Sequence, residues 1–149
     1  MYSNDWLFTN PSISYDGNPA EMDNVIVNEN GVFIIEVKNY VGYIVGNEDD
    51  YEWQKFKMTN AGNTFEKTVK NPIRQVKRQV WILHNYLKAN GVQVWVQGYA
   101  LLVQGNSPVN SEQVLYSIDD INRVIHTPGR KMLDENTIYD IRQLLAPRK

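Results

Sequence analysis

A mixed α/β fold (α+β in character), with a central mixed β-sheet flanked by helices, is what this sequence predicts. Three observations carry the prediction. Asn30-Gly31 separates two β-rich runs, and Asn-Gly is the strongest short hairpin signal because both residues tolerate positive φ. The second run, Val32-Phe33-Ile34-Ile35, is apolar at every position, as expected of a strand buried on both faces. Farther on, an amphipathic stretch over 72–89 lies between β-rich segments. That strand–helix–strand order implies a right-handed crossover joining parallel strands.

Taken in order, residues 6–15 predict an opening strand, since Trp6-Leu7-Phe8 and Ile13 need cover, with Pro11 marking an interruption or edge. Asp16-Gly17-Asn18-Pro19 is a turn. Strands over 23–27 and 32–38 form the central hairpin. A third strand is expected over 41–46 and a fourth over 51–56, where Tyr51 to Phe56 alternates. Residues 57–68 read as a loop with its tip at Asn60-Ala61-Gly62-Asn63. The helix from Pro72 to Ala89 has Asn71 as cap, proline in its first turn and Asn90-Gly91 as its stop. Ile73, Val76, Val80, Leu83 and Leu87 give it one apolar stripe. Gln75 and Gln79 flank that stripe, and Gln79 reads as solvent-facing. A strand over 92–103, a short strand over 114–116 and helices over 119–126 and 134–145 complete the chain, with Pro147 closing the last helix. His84 and His126 have no metal-spaced partners and read as structural or surface histidines. Trp53, Trp81 and Trp95 are expected to fill core or lean on the sheet.

With Asn30 and Gly31 as a two-residue turn, Val25 meets Glu36 and Asp23 meets Lys38. Opposed residues share a face, as do residues two apart, so Asp23, Glu36 and Lys38 converge. Two carboxylates on one face suit a hard cation such as Mg2+, which takes oxygen ligands. An adjacent lysine can orient or deprotonate a metal-bound water, which is the equipment for phosphodiester hydrolysis. The plainer reading is a solvated Glu36–Lys38 ion pair. Against it, charges ending a strand this apolar are costly to desolvate unless they are paired or hold an ion.

Asp23 followed after twelve residues by Glu36-Val37-Lys38 resembles the signature of the PD-(D/E)xK nuclease superfamily. The longer run EMDNVIVNENGVFIIEVKNYVGYIVG, with Trp53 and NPIRQ at 71–75, is similar to the nuclease-related domain (NERD) over roughly residues 5 to 104. The resemblance implies a restriction-endonuclease-like core. It also implies that Asp23 and Glu36 bind Mg2+ or Mn2+, with the Val37 carbonyl as a third donor. Lys38 would take the lysine role, Gln75 would approach from the helix, and Glu21 matches the first member of a Glu-x-Asp pair. The family's glutamate-bearing helix before the first strand has no counterpart here. We therefore expect a single nuclease-related domain over 1–149 without that helix, and a homo-oligomer associating through the apolar face it would leave bare.

At 149 residues the chain has the length of one domain, and 42% hydrophobic with 21% charged residues is ordinary for a globular protein. No cysteine is present, which excludes disulfide and zinc–thiolate chemistry and fits a reducing, cytoplasmic setting. No signal peptide or membrane-spanning run is read. The formal net charge of −2 is not that of a protein that coats nucleic acid. Yet Lys67, Lys70, Arg74, Lys77 and Arg78 form a run without an acidic residue, able to hold phosphates of a DNA partner. The expected function is a Mg2+-dependent DNA-binding hydrolase, a nuclease. The alternatives are a catalytically inactive nucleic-acid- or protein-binding module on the same scaffold, and a purely structural domain.

Overall fold

The computed structural model describes residues 1–2, 4–58, 62, 64–129 and 131–147. The elements in chain order are β1 (Trp6–Thr9), β2 (Ser12–Tyr15), β3 (Asn18–Glu21), β4 (Asn24–Asn28), β5 (Gly31–Lys38), β6 (Tyr43–Val45), β7 (Glu52–Met58), β8 (Thr64–Lys70), α1 (Pro72–Ala89), β9 (Val96–Leu102), β10 (Val114–Leu115), α2 (Ile118–Ile125) and α3 (Glu135–Leu145). A five-stranded mixed sheet has the order β1-β4-β5-β9-β10. β1 and β5 run antiparallel to β4, whereas β5, β9 and β10 are parallel. The expected mixed sheet flanked by helices is therefore what forms, with α1 carrying the chain between parallel β5 and β9.

Side-chain alternation assigns the two faces of this sheet. Val25, Val27, Val32 and Ile34 pack with Leu83 and Leu87 of α1 and with Ile141 and Leu145 of α3. Ile26, Phe33 and Ile35 face the opposite side, against Ile121 and Ile125 of α2. β5 is thus buried on both faces, as its unbroken apolar run requires. Among the described residues, α1 and α3 cover one face of the sheet and α2 the other, so the bare sheet face expected to drive association is not seen there. The exposed apolar side chains Trp6 and Leu7 lie instead on the edge strand β1.

Several boundaries differ from the sequence reading, each for a local reason. The opening strand is split, because Asn10 adopts φ 53° and Pro11 offers no N–H for a ladder. β1 then joins the main sheet, while β2 pairs with β3 in a separate ribbon. Residues 57–68 are not a loop. β7 and β8 form an antiparallel hairpin that β6 extends to three strands. Of the expected tip, Asn60, Ala61 and Asn63 lie outside the described residues. β9 starts at Val96 rather than Val92. The tryptophans divide: Trp53 is fully buried, whereas Trp81 is 51% and Trp95 62% exposed. The helix from Pro72 to Ala89 has the expected bounds, with the Asn71 side chain accepting from the Ile73 N–H. Asn71 is also anchored from outside the helix, its amide donating to the Glu48 and Asp50 carbonyls at 2.7 Å each.

The three-stranded sheet is fixed to the body by Trp53 and Ile44, which pack with Ile73 of α1 and Leu102 of β9. The Trp53 indole N–H donates to the Asn47 carbonyl at 2.9 Å, so burial leaves no orphan donor. No helix among the described residues is long and apolar enough to cross a membrane.

Candidate active site

The β4–β5 hairpin decides which charged residues meet, and its register differs from the one expected. Asn28 pairs with Gly31, Val25 with Ile34 and Asn24 with Ile35. The loop residues are therefore Glu29 and Asn30, and Asp23, one step beyond the ladder, stands across from Glu36 rather than Lys38. The pairing is offset by two residues, which preserves every face assignment. Asn28 supplies the physical reason. Its Oδ1 accepts from the Asn30 N–H at 2.8 Å, and its Nδ2 donates to the Ile125 carbonyl at 2.9 Å and to Asp5 Oδ1 at 3.0 Å. This network holds the bend one residue earlier than the Asn-Gly pattern suggests. Gly31 alone takes a positive φ there, +143°, where a side chain would be strained.

Glu36, Lys38 and Asp23 all lie on the face that α1 covers. Glu36 is 5% exposed. The Lys38 ammonium lies 3.5 Å from Glu36 Oε1, and the Gln79 side-chain amide donates to Glu36 Oε2 at 3.2 Å. Gln79, itself only 4% exposed, also donates to the Glu21 carbonyl at 3.5 Å. Contrary to the solvent-facing expectation, Gln79 is thus the helix residue that grips the glutamate. Its side chain is buried because α1 rests directly on the sheet at Gly98. A Cβ there would come within 2.3 Å of Val76 Cγ1 and 2.6 Å of Val80 Cγ2. Beside Glu36 on β9 stands another small residue, Ala100. The available signal in the sequence was the four-residue spacing of Gln75 and Gln79, which puts both on one flank.

The remaining expected residues are placed as follows. Asp23 Oδ2 accepts from the Val37 N–H at 3.0 Å, so Val37 meets the site through its amide nitrogen. Gln75 is half-buried one turn before Gln79, and the Oε1 atoms of both glutamines are buried without a hydrogen-bond partner. Glu21 ends β3 with its side chain exposed. Tyr40, just beyond β5, donates its hydroxyl to the Lys70 carbonyl at 2.9 Å. Burial, assisted by the negative charge of Glu36, pushes the Tyr40 phenol up to about 12.

The basic run does not gather into one patch. Arg74 donates to the Asp49 carbonyl at 2.9 Å and stacks over the Tyr51 ring at 3.9 Å. Arg78 donates to the Pro19 carbonyl at 3.2 Å. Lys77 is exposed on α1. Lys67 and Lys70, three apart on β8, lie on opposite faces of that strand. Outside this region, His84 Nδ1 lies 3.2 Å from the Val94 carbonyl, and His126 Nε2 lies 2.8 Å from Asp5 Oδ2. Both histidines join elements of the fold, in line with the structural role expected of them.

Chemically, the cluster offers oxygen donors and one ammonium. The carboxylates of Asp23 and Glu36 are its anionic donors, and the unpaired amide oxygens of Gln75 and Gln79 are neutral ones. Such a set suits a hard cation in preference to a soft one. Among the described residues no group of three or more histidine, aspartate or glutamate side chains forms a metal-holding cluster.

Residues 2–103 match the model of the nuclease-related domain family. The chain is also similar to an uncharacterized protein of Bacillus anthracis, 27% identical over 71 residues. That alignment covers 48% of this chain and 33% of the relative, so the chain spans about a third of the curated relative it matches. No solved structure matches. With two-thirds of its length matched to the family model, including both strands of the carboxylate hairpin and the helix that carries Gln75 and Gln79, the chain belongs to the nuclease-related domain family.

Proposed function

We propose that this protein is a Mg2+-dependent nuclease, a cytoplasmic endonuclease that hydrolyses DNA phosphodiester bonds. The observation carrying this reading is the buried Glu36, held between the Lys38 ammonium and the Gln79 amide with Asp23 across the hairpin. Asp23 and Glu36 would hold the ion, with the Val37 carbonyl as a third donor. When bound, Mg2+ supplies Lewis acidity toward a phosphoryl oxygen. Gln79 fixes one oxygen of Glu36 and so sets the orientation of the carboxylate. Lys38 places a positive charge where charge develops on the phosphate and orients the attacking water. Gln75, whose buried amide oxygen lacks a partner, accepts a hydrogen bond from that water.

Incubation of supercoiled and linear DNA with Mg2+ or Mn2+ tests the reading. Wild type should cleave, and Glu36→Gln and Lys38→Ala should each lose activity by on the order of 100-fold. Equal cleavage by wild type and both variants would overturn the assignment.

One observation favours a second reading, a non-catalytic nucleic-acid- or protein-binding module. Both oxygens of Glu36 already have protein partners, so the carboxylate needs no divalent ion to be stable in its buried position. Calorimetric titration with Mn2+ separates the two. Heat of binding in wild type that Glu36→Gln abolishes supports the enzyme, and no heat in either protein supports the module.

A further inference from the structure

The β7–β8 hairpin has its charges sorted by face. Trp53, Lys55 and Lys57 alternate onto one side of β7. Trp53 pairs with Val69 and Lys55 with Lys67, so Lys67 and Val69 share that side. Glu52, Glu66 and Lys70 lie on the opposite side. One face therefore carries three lysines, while both glutamates of the hairpin are on the other.

Two further features make this face unusual. Lys55 and Lys67 are directly opposed across the strands, an arrangement that destabilises a sheet by like-charge repulsion. Among the described residues, none of the three lysines has a carboxylate within ion-pair distance. A pair of this kind, left without counter-charge, is suited to an external polyanion.

The lysine face also has a defined direction. It is the side whose Trp53 packs on Ile73 and Leu102. Leu102 pairs with Lys38 in the main sheet. At the base of the hairpin, the Lys70 carbonyl is tied to the Tyr40 hydroxyl. The cationic row thus runs outward along the hairpin from Trp53, whose packing partner Leu102 stands beside Lys38 in the main sheet, with steps of about 7 Å between side chains two apart.

We infer that Lys55, Lys57 and Lys67 form a phosphate-binding arm that holds the DNA backbone beside the Glu36 site. This inference rests on the proposed nuclease function and names how its substrate is gripped. The arm meets phosphates, so it positions the duplex without reading its sequence.

Fluorescence anisotropy of a labelled 25-base-pair duplex in EDTA isolates binding from cleavage. The triple variant Lys55→Gln/Lys57→Gln/Lys67→Gln should bind at least about tenfold more weakly at moderate salt. Its slope of log affinity against log salt should fall by about 2 to 3, near 0.9 for each phosphate no longer neutralised. Lys70→Gln, on the opposite face, should leave the slope nearly unchanged. Circular dichroism melting should show no loss of stability in the triple variant, because the opposed lysine pair is removed. An unchanged slope in a folded triple variant overturns the arm and leaves the nuclease reading standing if wild type cleaves. Arm-dependent binding by a wild type that never cleaves keeps the arm and rejects the nuclease. A reduction only three times that of Lys70→Gln also overturns the arm, since losing three charges against one would then reflect net charge alone.

Discussion

The Gln79 side-chain amide on α1 donates to Glu36 on β5 at 3.2 Å, and both side chains are buried. This single bond couples the helix to the carboxylate on which the candidate chemistry depends. Gln79→Leu removes the donor while nearly keeping the volume, leaving Glu36 Oε2 buried without it. The variant should be destabilised by about 1–3 kcal/mol in urea denaturation. Its cleavage should fall through kcat more than KM, because the carboxylate loses its orientation while substrate binding is untouched. A variant as stable and active as wild type would show the bond to be incidental.

Gly98 sets how closely α1 approaches the sheet, and through that packing the depth of Gln79. Gly98→Ala introduces a Cβ that overlaps Val76 and Val80. Overpacking of this kind destabilises by about 1–3 kcal/mol. The accompanying outward shift of α1 should lower activity beyond the loss of folded protein. Normalising cleavage rate to the folded fraction, measured by near-ultraviolet circular dichroism, checks this. An unchanged normalised rate would mean that the helix position is not critical.

Acid stability should report on Asp5. Burial raises its pKa, but the Tyr2 backbone N–H, the Asn28 amide and His126 outweigh that effect, and the net value is below the ordinary 3.8. A depressed carboxylate contributes stability that is fully present above the unfolded pKa and is lost as pH falls through the folded value. Asp134, lowered by the Thr137 N–H at the start of α3, acts in the same direction. In urea titrations between pH 7 and 3, the stability difference between wild type and Asp5→Asn should be constant above about pH 5 and shrink below it. A difference that stays constant down to pH 3 would remove Asp5 from the acid transition.

Much of this was legible in the residues. Asn71-Pro72 and Asn90-Gly91 mark α1 by chemistry that acts within a few bonds, so its bounds could be read directly. The convergence of Asp23 with Glu36 was also readable, although the assumed register was wrong. An offset of two residues leaves every side chain on its own face. The β7–β8 hairpin was read only in its first strand, expected over 51–56, because Thr, Glu and Lys along β8 carry little apolar contrast. Its one strong anchor, Trp53, becomes informative only when Ile73 and Leu102 are beside it.

By itself the sequence determined the hairpin, the long helix and the face on which two carboxylates and a lysine gather, because strand alternation and helix capping are local rules. Only the tertiary structure decided that Gln79 rather than solvent meets Glu36, that Asn28 sets the bend, and that the lysines of β7 and β8 share a side. Each of these depends on groups far apart in the chain, brought together by close packing that no local pattern encodes.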